Sequence, residues 1–160
     1  MKEWTDFFVA TTGAAAALTG LIFVGVSINL TKILATPSLP NRALISLVLL
    51  MQILVLSILF LVPKQSYEVL GIEVLSINLM VWITVSKIDV STLRSKEKDY
   101  KRKYALNMVL DQVALIPYFI GGIIIMTIGE IGFFWIVPAI IFSFIKAVLD
   151  GWVLLIEINR

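Results

Sequence analysis

Five stretches of this 160-residue chain run apolar for about twenty residues or more: 6–30, 43–62, 69–87, 105–128 and 132–156. A helix needs roughly 20 such residues to cross about 30 Å of hydrocarbon. Nothing else in the sequence constrains the fold as strongly. With 59% hydrophobic residues and 15% charged ones, the chain also lacks the polar surface of a soluble domain this long. Strands are excluded on two grounds: the runs do not alternate as lipid-facing barrel strands do, and open sheet edges cannot be satisfied in lipid. The expected fold is all-α, one polytopic bundle of five spans over residues 1–160. Breakers separate the spans: "TPSLPN" at 36–41, "VPKQS" at 62–66 and "IGEIG" at 128–132.

The orientation follows from the placement of charge. Seven of the thirteen Lys and Arg residues fall in "KIDVSTLRSKEKDYKRKY" at 87–104, so residues 88–104 form a basic cytoplasmic loop under the positive-inside bias. Alternation puts Lys32, Arg42 and Arg160 on the same side, and Lys2 and Lys64 on the other. The amino terminus is therefore expected outside and the carboxyl terminus inside. "MKEWTDFF" has two acids beside one Lys, unlike the basic head of a cleaved signal, and reads as the start of an uncleaved span. Tyr100 and Tyr104 interleave the basic loop, but Glu97 and Asp99 dilute its field. The loop therefore reads as a topology signal and a solvated extension of the fourth helix, and no nucleic-acid partner is expected. Ser91 or Thr92 is placed to cap a cytoplasmic helix leading into that span.

Ionisable groups in hydrocarbon are costly and mark function or close pairing. Lys146 sits near the middle of span five, too deep to snorkel easily. Asp150 lies four residues on, one helical turn away on the same face. In the expected topology Asp111 of span four falls at the depth of Asp150, roughly 10 Å below the cytoplasmic surface. Lys146, Asp150 and Asp111, helped by Gln112, make a candidate intramembrane charge cluster. It reads either as a neutralised staple between helices or as a wet pathway for an ion or small solute.

Other polar residues in the spans read more simply. Gln52 and Asn78 fall near mid-membrane on spans two and three, as an interhelical hydrogen-bonded pair worth ~0.6 to 2 kcal/mol. Asn29 ends span one as a helix-end satisfier, and Glu73 lies about one turn from the outer surface. Pro117 and Pro138 interrupt spans four and five and permit kinks.

"GAAAALTGLIFVGVSINL" at 13–30 is the least bulky stretch of the chain. Gly13 with Ala17, and Ala16 with Gly20, are spaced i, i+4, which lets helix backbones approach closely in lipid. Gly13, Gly20 and Ser27 recur every seven residues as one stripe. Such a surface serves contact within the chain, contact between copies, or the lining of a passage. Small residues extend far enough around the helix that one partner does not use them all, so a homo-oligomer is expected.

Enzymatic templates fail. The chain has no Cys and no His, which removes thiolate and imidazole chemistry, and no metal site or cofactor motif appears. Two aspartates at equal depth suggest an intramembrane aspartyl protease, but GxGD is absent and a nearby ammonium opposes a shared proton. "SFIK" at 143–146 matches Ser-x-x-Lys without companion motifs. No enzyme is expected.

"DFFVATTGAAAALTGLIFVGVSINL" at 6–30 and "WVLLIEI" at 152–158 resemble the opening and closing segments of a family of small bacterial polytopic membrane proteins. That family is often labelled as modulators of the membrane protease FtsH. The resemblance covers about a fifth of the chain. It implies a bacterial cytoplasmic membrane and a protease as a candidate partner, with no catalytic residue to carry over. Two functional readings stand: a homo-oligomeric channel-like or transport protein, favoured by the mid-membrane Lys146, and a non-transporting membrane partner.

Overall fold

The computed structural model describes residues 4–35, 39–94 and 101–158. Those residues form six helices and one 3-10 turn. The helices are α1 (Thr5–Ile28), α2 (Leu30–Ala35), α3 (Leu39–Leu59), α4 (Tyr67–Arg94), α5 (Lys101–Ile128) and α6 (Phe133–Ile158), with the turn at Glu130–Gly132 before α6. Five helices, all but α2, are long and apolar enough to cross a membrane. The protein is thus an all-helical, multi-pass membrane protein. No strand occurs among the described residues.

The span boundaries shift from the expected ones for local reasons. α1 ends at Asn29, whose side-chain amide donates to the Gly25 carbonyl at 3.0 Å, satisfying an end group of the helix. The chain then adds α2, too short to show any apolar period in the sequence. α3 starts at Leu39, earlier than expected, with Pro40 in its first turn where a missing N–H costs nothing. Between α3 and α4 the chain turns through Lys64 at φ 60°. Ser66 then caps α4, its Oγ accepting from the Val69 N–H at 3.4 Å. α4 runs on to Arg94, about two turns past the expected end at residue 87. Ser91 and Thr92 therefore lie inside α4, and the capping role expected of them is corrected. Thr92 Oγ1 instead donates back to the Ile88 carbonyl at 2.8 Å. Of the basic loop, residues 95–100 lie outside the described residues, as do Lys2 and Arg160. α5 and α6 continue through Pro117 and Pro138.

Packing divides the chain into two units, residues 1–65 with 144–160, and residues 66–143. In the first, α1 lays Phe8, Thr11 and Ala15 on α3, a buried face spaced i, i+3, i+7. Thr11 donates to the Phe8 carbonyl at 3.1 Å and lies 2.9 Å from Ser57 Oγ, so the Ser57 hydroxyl supplies the proton between the helices. The rings of Phe8 and Phe60 stack at 4.6 Å beside them. Near the other end Ile33, Leu39, Ala43 and Leu154 form a small core from α2, α3 and α6.

The second unit is built on glycine contacts. A Cβ on Gly71 of α4 would stand 2.6 Å from Met126 Cβ and 2.8 Å from the Gly122 carbonyl of α5. One on Gly132 would meet the Ile125 backbone nitrogen at 2.5 Å. Such approach is how helices associate in lipid, where no hydrophobic force drives them together. Gly129, at φ 91° and ψ −130°, reverses the chain between α5 and α6 in a conformation open only to glycine.

Candidate functional site: a buried ion triad and an open small-residue face

In the first unit Lys146 and Asp150 are joined one turn apart on α6, as expected from their spacing. A third member comes from α3. Arg42 Nη1 stands 3.5 Å from Asp150 Oδ1, while the Lys146 ammonium takes Oδ2. Each carboxylate oxygen thus faces its own cation. Lys146 and Asp150 are 3% and 2% exposed, and Arg42 only 9%. One turn deeper along the same contact, Ser46 Oγ donates to the Ala147 carbonyl at 2.9 Å. The triad and this bond together fasten the first two turns of α3 to α6. In sequence Arg42 reads only as a span-end topology residue. Its signal was the long side chain at a depth from which it reaches inward to a carboxylate.

The remaining polar residues are distributed between the units. Asp111 belongs to the second, where Asn107 Nδ2 donates to its Oδ2 at 3.3 Å. Gln112 is engaged there at both ends of its amide. Trp82 Nε1 donates to its Oε1 at 2.7 Å, and its Nε2 donates to Ser86 Oγ at 3.4 Å, tying α5 to α4. Asn78 Nδ2 donates to the Leu115 carbonyl at 3.2 Å, a further α4 to α5 bond. Gln52 is buried in the first unit. Glu73 is half-buried, and its backbone carbonyl accepts from Ser76. Tyr118 and Ser143, the serine of the "SFIK" match, are both buried in the second unit.

The small residues of α1 lie on the opposite side of the helix from its packed face. At about 100° per residue, Gly13, Ala16, Ala17, Gly20 and Ser27 fall within roughly 100° of arc, centred nearly opposite Phe8, Thr11 and Ala15. All five are exposed. A Cβ placed on Gly13 or Gly20 meets nothing within 4 Å. Thr12 and Thr19, at the margins of this face, turn their hydroxyls to the carbonyls of Phe8 and Ala15, both at 2.7 Å. Their polarity is absorbed by the helix itself. Only 17% of the α1 span is buried, against 56% of α3.

No family model, curated protein or solved structure matches the chain. The site's own geometry therefore carries the functional reading. The triad is closed: both oxygens of its acid are taken and all three side chains are withdrawn from the surface. A groove of ≈ 230 Å³ in the same unit, lined by Leu18, Ile22, Gly25, Ile33, Gly151 and Trp152 among others, is apolar. The same unit leaves the small-residue face of α1 exposed.

Proposed function

We propose that the protein is a self-associating, non-conducting subunit of a membrane assembly, in which copies meet through the small-residue face of α1. One observation carries this: the chain uses glycine in two ways. Gly71, Gly122 and Gly132 are consumed by contacts that leave no room for a Cβ, whereas Gly13 and Gly20 face open space. In lipid, small residues gain attraction only when another helix comes close. A face of five such residues turned away from its own bundle fits a helix from another copy.

The charge cluster supports the non-conducting half. A pathway needs groups that water and solute reach, and Lys146 and Asp150 face each other and Arg42 instead. The triad acts as a staple that sets how α3 and α6 meet. By its charge placement the subunit stands with its amino terminus outside. The resemblance of residues 6–30 and 152–158 to protease modulators suggests the bacterial cytoplasmic membrane and a regulatory role.

Reconstitution tests both halves. Purified protein in liposomes is expected to pass K⁺, Na⁺ and Cl⁻ no faster than protein-free vesicles, and to migrate as an oligomer that Gly13→Leu with Gly20→Leu converts to monomer. Flux that disappears in Lys146→Met would overturn the non-conducting reading. Oligomers untouched by the double Leu variant would overturn the role of α1.

A further inference from the structure

α4 leaves its membrane-length stretch at a definable residue. About 20 residues of helix cover roughly 30 Å of hydrocarbon. Counted from Tyr67, the first residue of α4, that length ends at Ser86, and Lys87 is next. Beyond it the helix continues for two turns to Arg94.

Ser86, Lys87, Val90, Ser91 and Arg94 line a depression of ≈ 640 Å³ along this end of the helix. Lys87, Ser91 and Arg94 are spaced i, i+4, i+7 and share one exposed face. Toward the hydrocarbon the same face continues through Ile83 and Met80, 40% and 70% exposed. Asp89 is buried on another side of α4. Neither Lys87 nor Arg94 enters an ion pair among the described residues. The next nine residues of sequence, 95–103, add five Lys or Arg against two acids. The face is therefore apolar at membrane depth and cationic immediately outside it.

We propose that Lys87, Ser91 and Arg94 bind the phosphate headgroup of an anionic phospholipid, whose acyl chain lies along Ile83 and Met80. Each part of the lipid meets matching chemistry. The Lys87 ammonium, first past the hydrocarbon, supplies a point charge at the level of the phosphate. The planar guanidinium of Arg94 offers paired N–H donors to two phosphate oxygens, and the Ser91 hydroxyl between them donates a third bond. Lys87 and Arg94 are about 10 Å apart along the axis, against a headgroup layer of roughly 5 to 8 Å per leaflet. The flexible stem of Arg94 spans that difference by reaching back toward the membrane. An inorganic phosphate would use the cations but leave the Ile83 and Met80 face without a role.

Native mass spectrometry of the detergent-purified protein, titrated with phosphatidylglycerol, phosphatidylcholine or inorganic phosphate, tests the site. Phosphatidylglycerol is expected to bind at least tenfold more tightly than phosphatidylcholine, and equimolar phosphate is expected not to displace it. Lys87→Gln with Arg94→Gln is expected to weaken phosphatidylglycerol binding about 25-fold, the loss of two surface cations. Lys101→Gln, Arg102→Gln and Lys103→Gln together remove three charges from the following stretch of sequence and are expected to weaken it less than the double variant does. Equal binding of the two lipids would overturn the proposal, as would displacement by phosphate or an equal loss in the triple variant.

Discussion

Arg42 and Asp150, 108 residues apart in sequence, face each other at 3.5 Å inside the first unit. The carboxylate is shared, one oxygen toward Arg42 and the other toward Lys146. It is the acid on which two cations converge, and the three positions are not equivalent.

Asp150→Asn is expected to be the most damaging change in the triad, costing about 3 to 5 kcal/mol, because it takes the shared counter-charge from two buried cations. Arg42→Met and Lys146→Met each leave one cation on the acid and are expected to cost well under that. Unfolding of the three variants in mixed micelles checks the order. Equal costs would mean that Asp150 is not the hub.

Gly71→Ala is expected to destabilise the second unit by about 1 to 3 kcal/mol, since the new methyl would collide with Met126 and the Gly122 carbonyl. Gly13→Ala is expected to leave fold stability unchanged, its Cβ entering open space. Thermal denaturation of the pair measures whether the two glycine sets differ as their surroundings do.

Gln112→Ala removes an acceptor for Trp82 and a donor to Ser86 between α4 and α5. Interhelical hydrogen bonds in membranes are worth roughly 0.6 kcal/mol on average and up to ~1.7. A loss near 1 to 2 kcal/mol is expected, with a changed emission of Trp82 as its local signature. Trp82→Phe should lose the smaller share, because the Ser86 bond remains.

The five spans were legible in the sequence because hydrocarbon demands long apolar runs, and composition alone reveals those. Their ends were less so. α4 keeps its helix through Ser91 and Thr92, past the apolar run that ends near residue 87, because helical backbone bonds form in water as they do in lipid. The Lys146 to Asp150 pair was readable from i, i+4 spacing, a local property. Arg42 was not, because its partner lies far along the chain and only the packing of α3 on α6 brings them together. Gln112 was singled out as a polar residue within a span, but the sequence does not specify its direction, and its amide turns to α4. The small residues of α1 announced close packing without saying which face was spent. The geometry of Phe8, Thr11 and Ala15 answers that, by placing the chain's own contact on the other side.

Cysteine cross-linking tests the central claim most directly, and the chain has no native Cys to complicate it. Close crossing of two small-residue faces brings Cα atoms within the roughly 4.4 to 6.8 Å that a disulfide spans. Gly20→Cys in native membranes is therefore expected to oxidise to a covalent dimer, while Leu149→Cys, exposed on α6, is expected to stay monomeric under the same conditions. A Gly20→Cys protein that remains monomeric, or that cross-links no better than the Leu149→Cys control, would contradict association through α1.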